Sequence, residues 1–164
     1  MTLSLRPTLT ACGLLGAALA LSTACPDELE HEHEHGANIP CDEDTRDEEY
    51  SPGMEKETDE GRMTVVLEEA VPGPIDLGSN AWTISVADPT SGDPESGCTI
   101  TAVPWMTDHN HGSNSPVATE SDTAGTYEIS DLQVTMAGLW DTTLSLECPD
   151  LGEDTVHFIF CIEG

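Results

Sequence analysis

After Gly61, apolar and polar residues alternate with a period of two along most of the chain, as they do in strands that bury one face. Trp82, Ile84 and Val86 stand against Thr83 and Ser85, and Trp140, Leu144 and Leu146 against Asp141, Thr143 and Ser145. Runs of this kind predict strands at 63–68, 82–87, 98–103, 127–134 (in one or two pieces), 139–146 and 155–162. Pro- and Gly-rich segments at 71–74, 88–94 and 149–152 separate them. Nothing reads as a long helix. The expected fold is all-β, an immunoglobulin-like β-sandwich of six to seven strands.

The first 60 residues follow a different pattern. Arg6 precedes an apolar run, 9–24, rich in Leu and Ala. A membrane-spanning helix needs roughly 20 apolar residues, and this run is shorter, so residues 1–24 read as an export signal. Leu21-Ser22-Thr23-Ala24-Cys25 resembles the lipobox of bacterial lipoproteins, which makes Cys25 the expected lipid anchor. Acyl chains would then tether the protein to a membrane without spanning it. Residues 25–60 hold fifteen Asp or Glu against Arg46 and Lys56, and almost no large apolar residues apart from Leu29, Ile39, Tyr50 and Met54. Too little surface can be buried there to offset chain entropy. A disordered acidic tether over 25–60 is expected, followed by the sandwich domain at 61–163. Within the tether, Glu30 to His35 alternates carboxylate and imidazole, so His31, His33 and His35 form a secondary set of metal ligands.

Charge narrows the partners. The chain has 32 Asp and Glu against four Lys and Arg, a formal net charge of −28, and no Lys or Arg follows Arg62. Such a field repels phosphate, which excludes nucleic acid, and its self-repulsion favours a monomer. Cations are attracted. Once Cys12 in the signal and Cys25 at the anchor are set aside, Cys41, Cys98, Cys148 and Cys161 remain. An even number in an exported chain implies two disulfides, and three pairings are open. No Cys-x-x-Cys spacing suggests a thiolate metal site instead.

The densest chemistry lies in Pro104-Trp105-Met106-Thr107-Asp108-His109-Asn110-His111-Gly112, where one thioether, one carboxylate and two imidazoles fall within six residues. Imidazole binds Cu, Zn and Ni, and a soft thioether biases a mixed site towards Cu(I). Copper is therefore the expected cofactor. Binding through imidazole should weaken in acid, because the ligand must be deprotonated. No nucleophile motif or glycine-rich phosphate loop is present, so catalysis is not expected. The alternative is a cell-surface structural or interaction sandwich whose histidines are fortuitous.

Several pieces in order also resemble a known family. Gly78-Ser79-Asn80-Ala81-Trp82-Thr83-Ile84-Ser85-Val86, then Pro94 and Gly97, the run from Pro104 to Gly112, Gly125-Thr126-Tyr127 and Met136-Ala137-Gly138-Leu139-Trp140 are similar to the YtkA-like domain, related to FixH proteins. The resemblance implies an extracytoplasmic β-sandwich, membrane-anchored and linked to copper handling, with a membrane partner such as an oxidase or transporter. On a sandwich arrangement, Cys98 opens one strand and Cys148 closes its antiparallel neighbour, so a Cys98–Cys148 bridge is expected, leaving Cys41–Cys161. The same arrangement brings the loop carrying Met106, Asp108, His109 and His111 to the end of the sandwich that carries Met136. These five residues are the expected metal ligands. His157, on the outer face of the last strand, is given no role.

Overall fold

Period-two alternation leads to the architecture of the computed structural model, which describes residues 39–164. All six expected strands are present and each is longer than the pattern alone suggested. They are β2 (Thr64–Val71), β3 (Gly78–Ala87), β4 (Thr99–Met106), β7 (Thr126–Val134), β8 (Gly138–Cys148) and β9 (Gly152–Ile162). Three short pieces join them: β1 (Met54–Glu57), β5 (His111–Gly112) and β6 (Thr119–Glu120). The strands pair antiparallel in two sheets, ordered β1-β2-β3-β7-β6 and β5-β4-β8-β9. With β1 set aside, this is the strand order of an immunoglobulin-type sandwich.

Alternation along β3, β4 and β8 sends one side chain in two between the sheets. Trp82, Ile84, Ile100, Tyr127, Leu144 and Phe158 are almost wholly buried there. The Trp82 ring meets Phe158 and Phe160 edge-on, with centroids 5.8 and 6.1 Å apart. Such arrangements match the aromatic quadrupole and add to area burial. Both expected disulfides are formed. Cys98–Cys148 ties β8 to the residue that precedes β4, and Cys41–Cys161 ties the N-terminal segment to β9.

That second bond corrects the expected domain boundary. Residues 39–60 are not a disordered tether but part of the folded unit, a strap laid along the free edge of β9. Glu48 N–H donates to Ile159 O at 2.8 Å, Asp59 N–H to Thr155 O at 2.7 Å and Lys56 Nζ to His157 O at 2.6 Å. β1, at the end of the strap, pairs with β2 from Met54↔Leu67 to Glu57↔Thr64. Tyr50 adds an apolar contact, its ring edge-on to Phe160 at 6.1 Å, and its hydroxyl accepts from Ala70 N–H at 2.8 Å. Low hydrophobicity hid the strap because it builds no core of its own. It adds hydrogen bonds, ion pairs and one covalent bond to a core that already exists. The expected signal peptide, the Cys25 anchor and the His31, His33 and His35 set lie outside the described residues. No helix among the described residues is long and apolar enough to cross a membrane.

Candidate metal centre

The His-containing motif builds a tight hairpin between β4 and β5. Met106 pairs with His111 and Trp105 with Gly112, leaving 107–110 as the turn. Asn110 takes a positive φ of 54°, a conformation that Asn tolerates better than most residues with a side chain. Gly112 is needed for a different reason. A Cβ there would stand 2.9 Å from Pro104 O and 3.0 Å from a Trp105 ring carbon, so only glycine lets the returning strand come this close. The Asn and Gly between and after the two histidines therefore do conformational work, and they fix where the imidazoles stand.

Trp140 organises the site. It is the β8 partner of Met106, and its ring lies edge-on to His111 with centroids 6.1 Å apart. Its indole N–H donates to Met136 O at 2.9 Å, drawing the 135–137 turn to the same end of the sandwich. The His109 and His111 rings lie edge-on to one another, with centroids 6.1 Å apart. Two imidazoles bound to one ion at about 2.0 Å per bond have ring centres roughly 5 to 6 Å apart, close to the observed separation, and sharing an ion would require the rings to turn their nitrogens towards it. His111 Nδ1 lies 3.4 Å from Gly112 O, a contact that leaves Nε2 as the nitrogen free to ligate. His109 is exposed, His111 half-buried, and Met136 is 41% exposed.

Two expected ligands are placed differently. Met106 is fully buried, because β4 runs on through it and strand parity turns its side chain into the core. Asp108 is engaged elsewhere. Arg46 grips it with both terminal nitrogens, Nη1 to Oδ1 at 2.7 Å and Nη2 to Oδ2 at 2.8 Å. The same guanidinium holds Asp44, with Nε to Oδ1 at 2.9 Å and Nη2 to Oδ2 at 2.7 Å. Hydrogen bonds from Arg46 keep both carboxyls below the ordinary carboxylate range and raise the guanidinium's own pKa. Among the described residues, no group of three or more His, Cys, Asp or Glu is placed to hold a metal ion. Arg46 escaped the sequence reading because it lies 62 residues from Asp108. The only available signal was its isolation as one of two cations in an acidic stretch.

His157 projects from the outer face of β9, where its ring nitrogens are claimed by different groups. Nδ1 is 2.9 Å from Asp141 Oδ1 and 3.2 Å from Thr143 Oγ1, and Nε2 is 3.6 Å from Asp59 Oδ2. The two carboxylates lie on opposite sides of the ring, which links the strap to β8 and offers no convergent site.

No family model and no curated protein matches the sequence, so the likeness to the YtkA-like domain rests on the quoted motifs. Two solved structures of FetP from uropathogenic Escherichia coli strain F11 are similar to this chain. A copper-bound variant aligns with a TM-score of 0.47 and 12% identity over 71% of this chain and 99% of that one. FetP as isolated after recombinant expression in the periplasm of E. coli BL21(DE3) aligns with 0.48 and 13% identity over 70% and 95%. At these identities no residue correspondence follows.

Proposed function

We propose that this is an extracytoplasmic copper-binding domain that holds one ion at the β4–β5 end of its sandwich. His109 and His111 are the principal ligands and Met136 supplies thioether sulfur. The observation that carries the reading is the pair of adjacent imidazoles, centroids 6.1 Å apart, on a hairpin fixed by Asn110 and Gly112, beside a tryptophan that also holds the Met136 turn. Nitrogen with thioether sulfur suits Cu(I) best. Two disulfides suit an oxidising compartment outside the cytoplasm. A lipid anchor at Cys25, a membrane partner that gives or receives the metal, and a binding rather than catalytic role complete the proposal.

The test is titration of the chain beginning at Cys25 with Cu(II), and with Cu(I) supplied as its acetonitrile complex under nitrogen. His31, His33 and His35 are changed to Ala so that the arm contributes nothing. Cutting away residues 25–60 instead would remove the strap itself, with Cys41 and Arg46. Binding should quench Trp140 fluorescence and raise the melting temperature. In the His109→Ala, His111→Ala double variant both responses should disappear. Unchanged spectra and melting temperature with both ions would leave the second reading, an interaction sandwich without metal. That reading draws on the lack of a three-member His, Cys, Asp and Glu group among the described residues.

A further inference from the structure

The fork between Arg46 and Asp108 stands one residue from His109 and engages both oxygens of the only carboxylate in the 107–110 turn. Both Asp108 oxygens accept from Arg46, at 2.7 and 2.8 Å. Nor is the arginine free to leave. Behind it, Asp44 takes Nε and Nη2, and a further hydrogen bond runs from Arg46 N–H to Asp44 Oδ1 at 3.0 Å. The Asp44 side chain is 2% exposed, so a departing guanidinium would strand a buried carboxylate. Five residues upstream, Cys41 is bonded to Cys161, which fixes the strap that carries the arginine.

Removing that carboxylate changes the donor set. A turn offering His109, His111 and a free Asp108 would present oxygen and nitrogen in the mixture that Cu(II) accepts. With Asp108 held by a guanidinium, imidazole and thioether remain, and that set favours Cu(I). We propose that Arg46 is the specificity-determining residue of the centre: it holds Asp108 out of the coordination sphere and so sets the preference for Cu(I) over Cu(II). This rests on the copper-binding reading above.

The test uses the same chain, with His31, His33 and His35 replaced, and compares it with Arg46→Gln. Cu(I) and Cu(II) affinities are measured by chelator competition, and the Cu(II) spectrum by electron paramagnetic resonance. Arg46→Gln should raise Cu(II) affinity about tenfold, the scale on which outer ligand partners act. Cu(I) affinity should change less than about twofold, and the Cu(II) signal should move towards oxygen ligation. Adding Asp108→Asn should reverse both Cu(II) changes. Asp108→Asn alone should leave Cu(II) affinity within about twofold, a result that can be read even if Arg46→Gln fails to fold. The proposal is overturned if Arg46→Gln raises both affinities together, which is a simple charge effect, or leaves their ratio unchanged. It is also overturned if Asp108→Asn alone weakens Cu(II), because the carboxylate would then already be a ligand. If the parent chain binds neither ion, the copper reading itself fails and this inference with it.

Discussion

The strap over residues 39–60 and the sandwich it lies against reach order by different physics. In the sandwich, every long strand buries alternate side chains, and aromatic residues such as Trp82, Phe158 and Trp140 fill the space between the sheets. In the strap the burial is scattered, and the work falls to charge, backbone pairing and a covalent bond. Of the three basic side chains among the described residues, two lie in it and the third, Arg62, just beyond its end, and each is ion-paired with it or from it: Arg46 with Asp44 and Asp108, Lys56 with Glu48, and Arg62 with Glu60. An acidic segment with almost no apolar residues can therefore be ordered when it is laid on a core built by others and its few cations are placed where they bridge.

The contrast can be broken from its strongest side first. Phe158→Ala should cost about 3–5 kcal/mol in denaturant unfolding, because it opens a cavity between the sheets. Its effect should appear in both regions at once. Cys41→Ser with Cys161→Ser should cost about 2–4 kcal/mol, but hydrogen exchange should rise mainly over 39–60 while the β3, β4 and β8 amides stay protected. Equal loss of protection in both regions would show that the strap is no separate unit. Lys56→Met should cost about 1–2 kcal/mol, because it removes the hydrogen bond to His157 O as well as the half-buried pair with Glu48, and only the Glu48 part should shrink at high salt.

The smallest effect is that of pH on the Arg46 clamp. Asp44 and Asp108 have folded-state pKa values held below the ordinary range by hydrogen bonds from Arg46. Their contribution is present above the unfolded carboxylate value, near about 3.9, and is lost as pH falls through the lowered ones. Exchange at 41–50 should therefore rise in acid before the sandwich loosens. An Arg46→Gln chain should lack that early phase.

Legibility followed the same division. Alternation at Trp82, Ile84 and Val86 was enough to find β3, and strand order placed Cys98 opposite Cys148 before any coordinates. β1 was missed because Met-Glu-Lys-Glu reads as solvated chain, and its half-buried pattern has meaning only beside β2. At the candidate centre, the β4–β5 hairpin keeps His109 and His111, neighbours in sequence, close in space. What failed was side-chain direction. Met106 lies one step inside the strand rather than on the turn, so parity sent it to the core. The fate of Asp108 was set by a residue on the strap, and a contact of such long range leaves no local trace.

The strap also decides what the molecule can do to copies of itself. A long outer strand such as β9 displays a row of carbonyls and amides that invites another chain to add on. Here Thr155 O, His157 O and Ile159 O are already taken by Asp59, Lys56 and Glu48. Reducing Cys41–Cys161 should loosen that cover, and light scattering should then show more edge-to-edge association than in the oxidised protein.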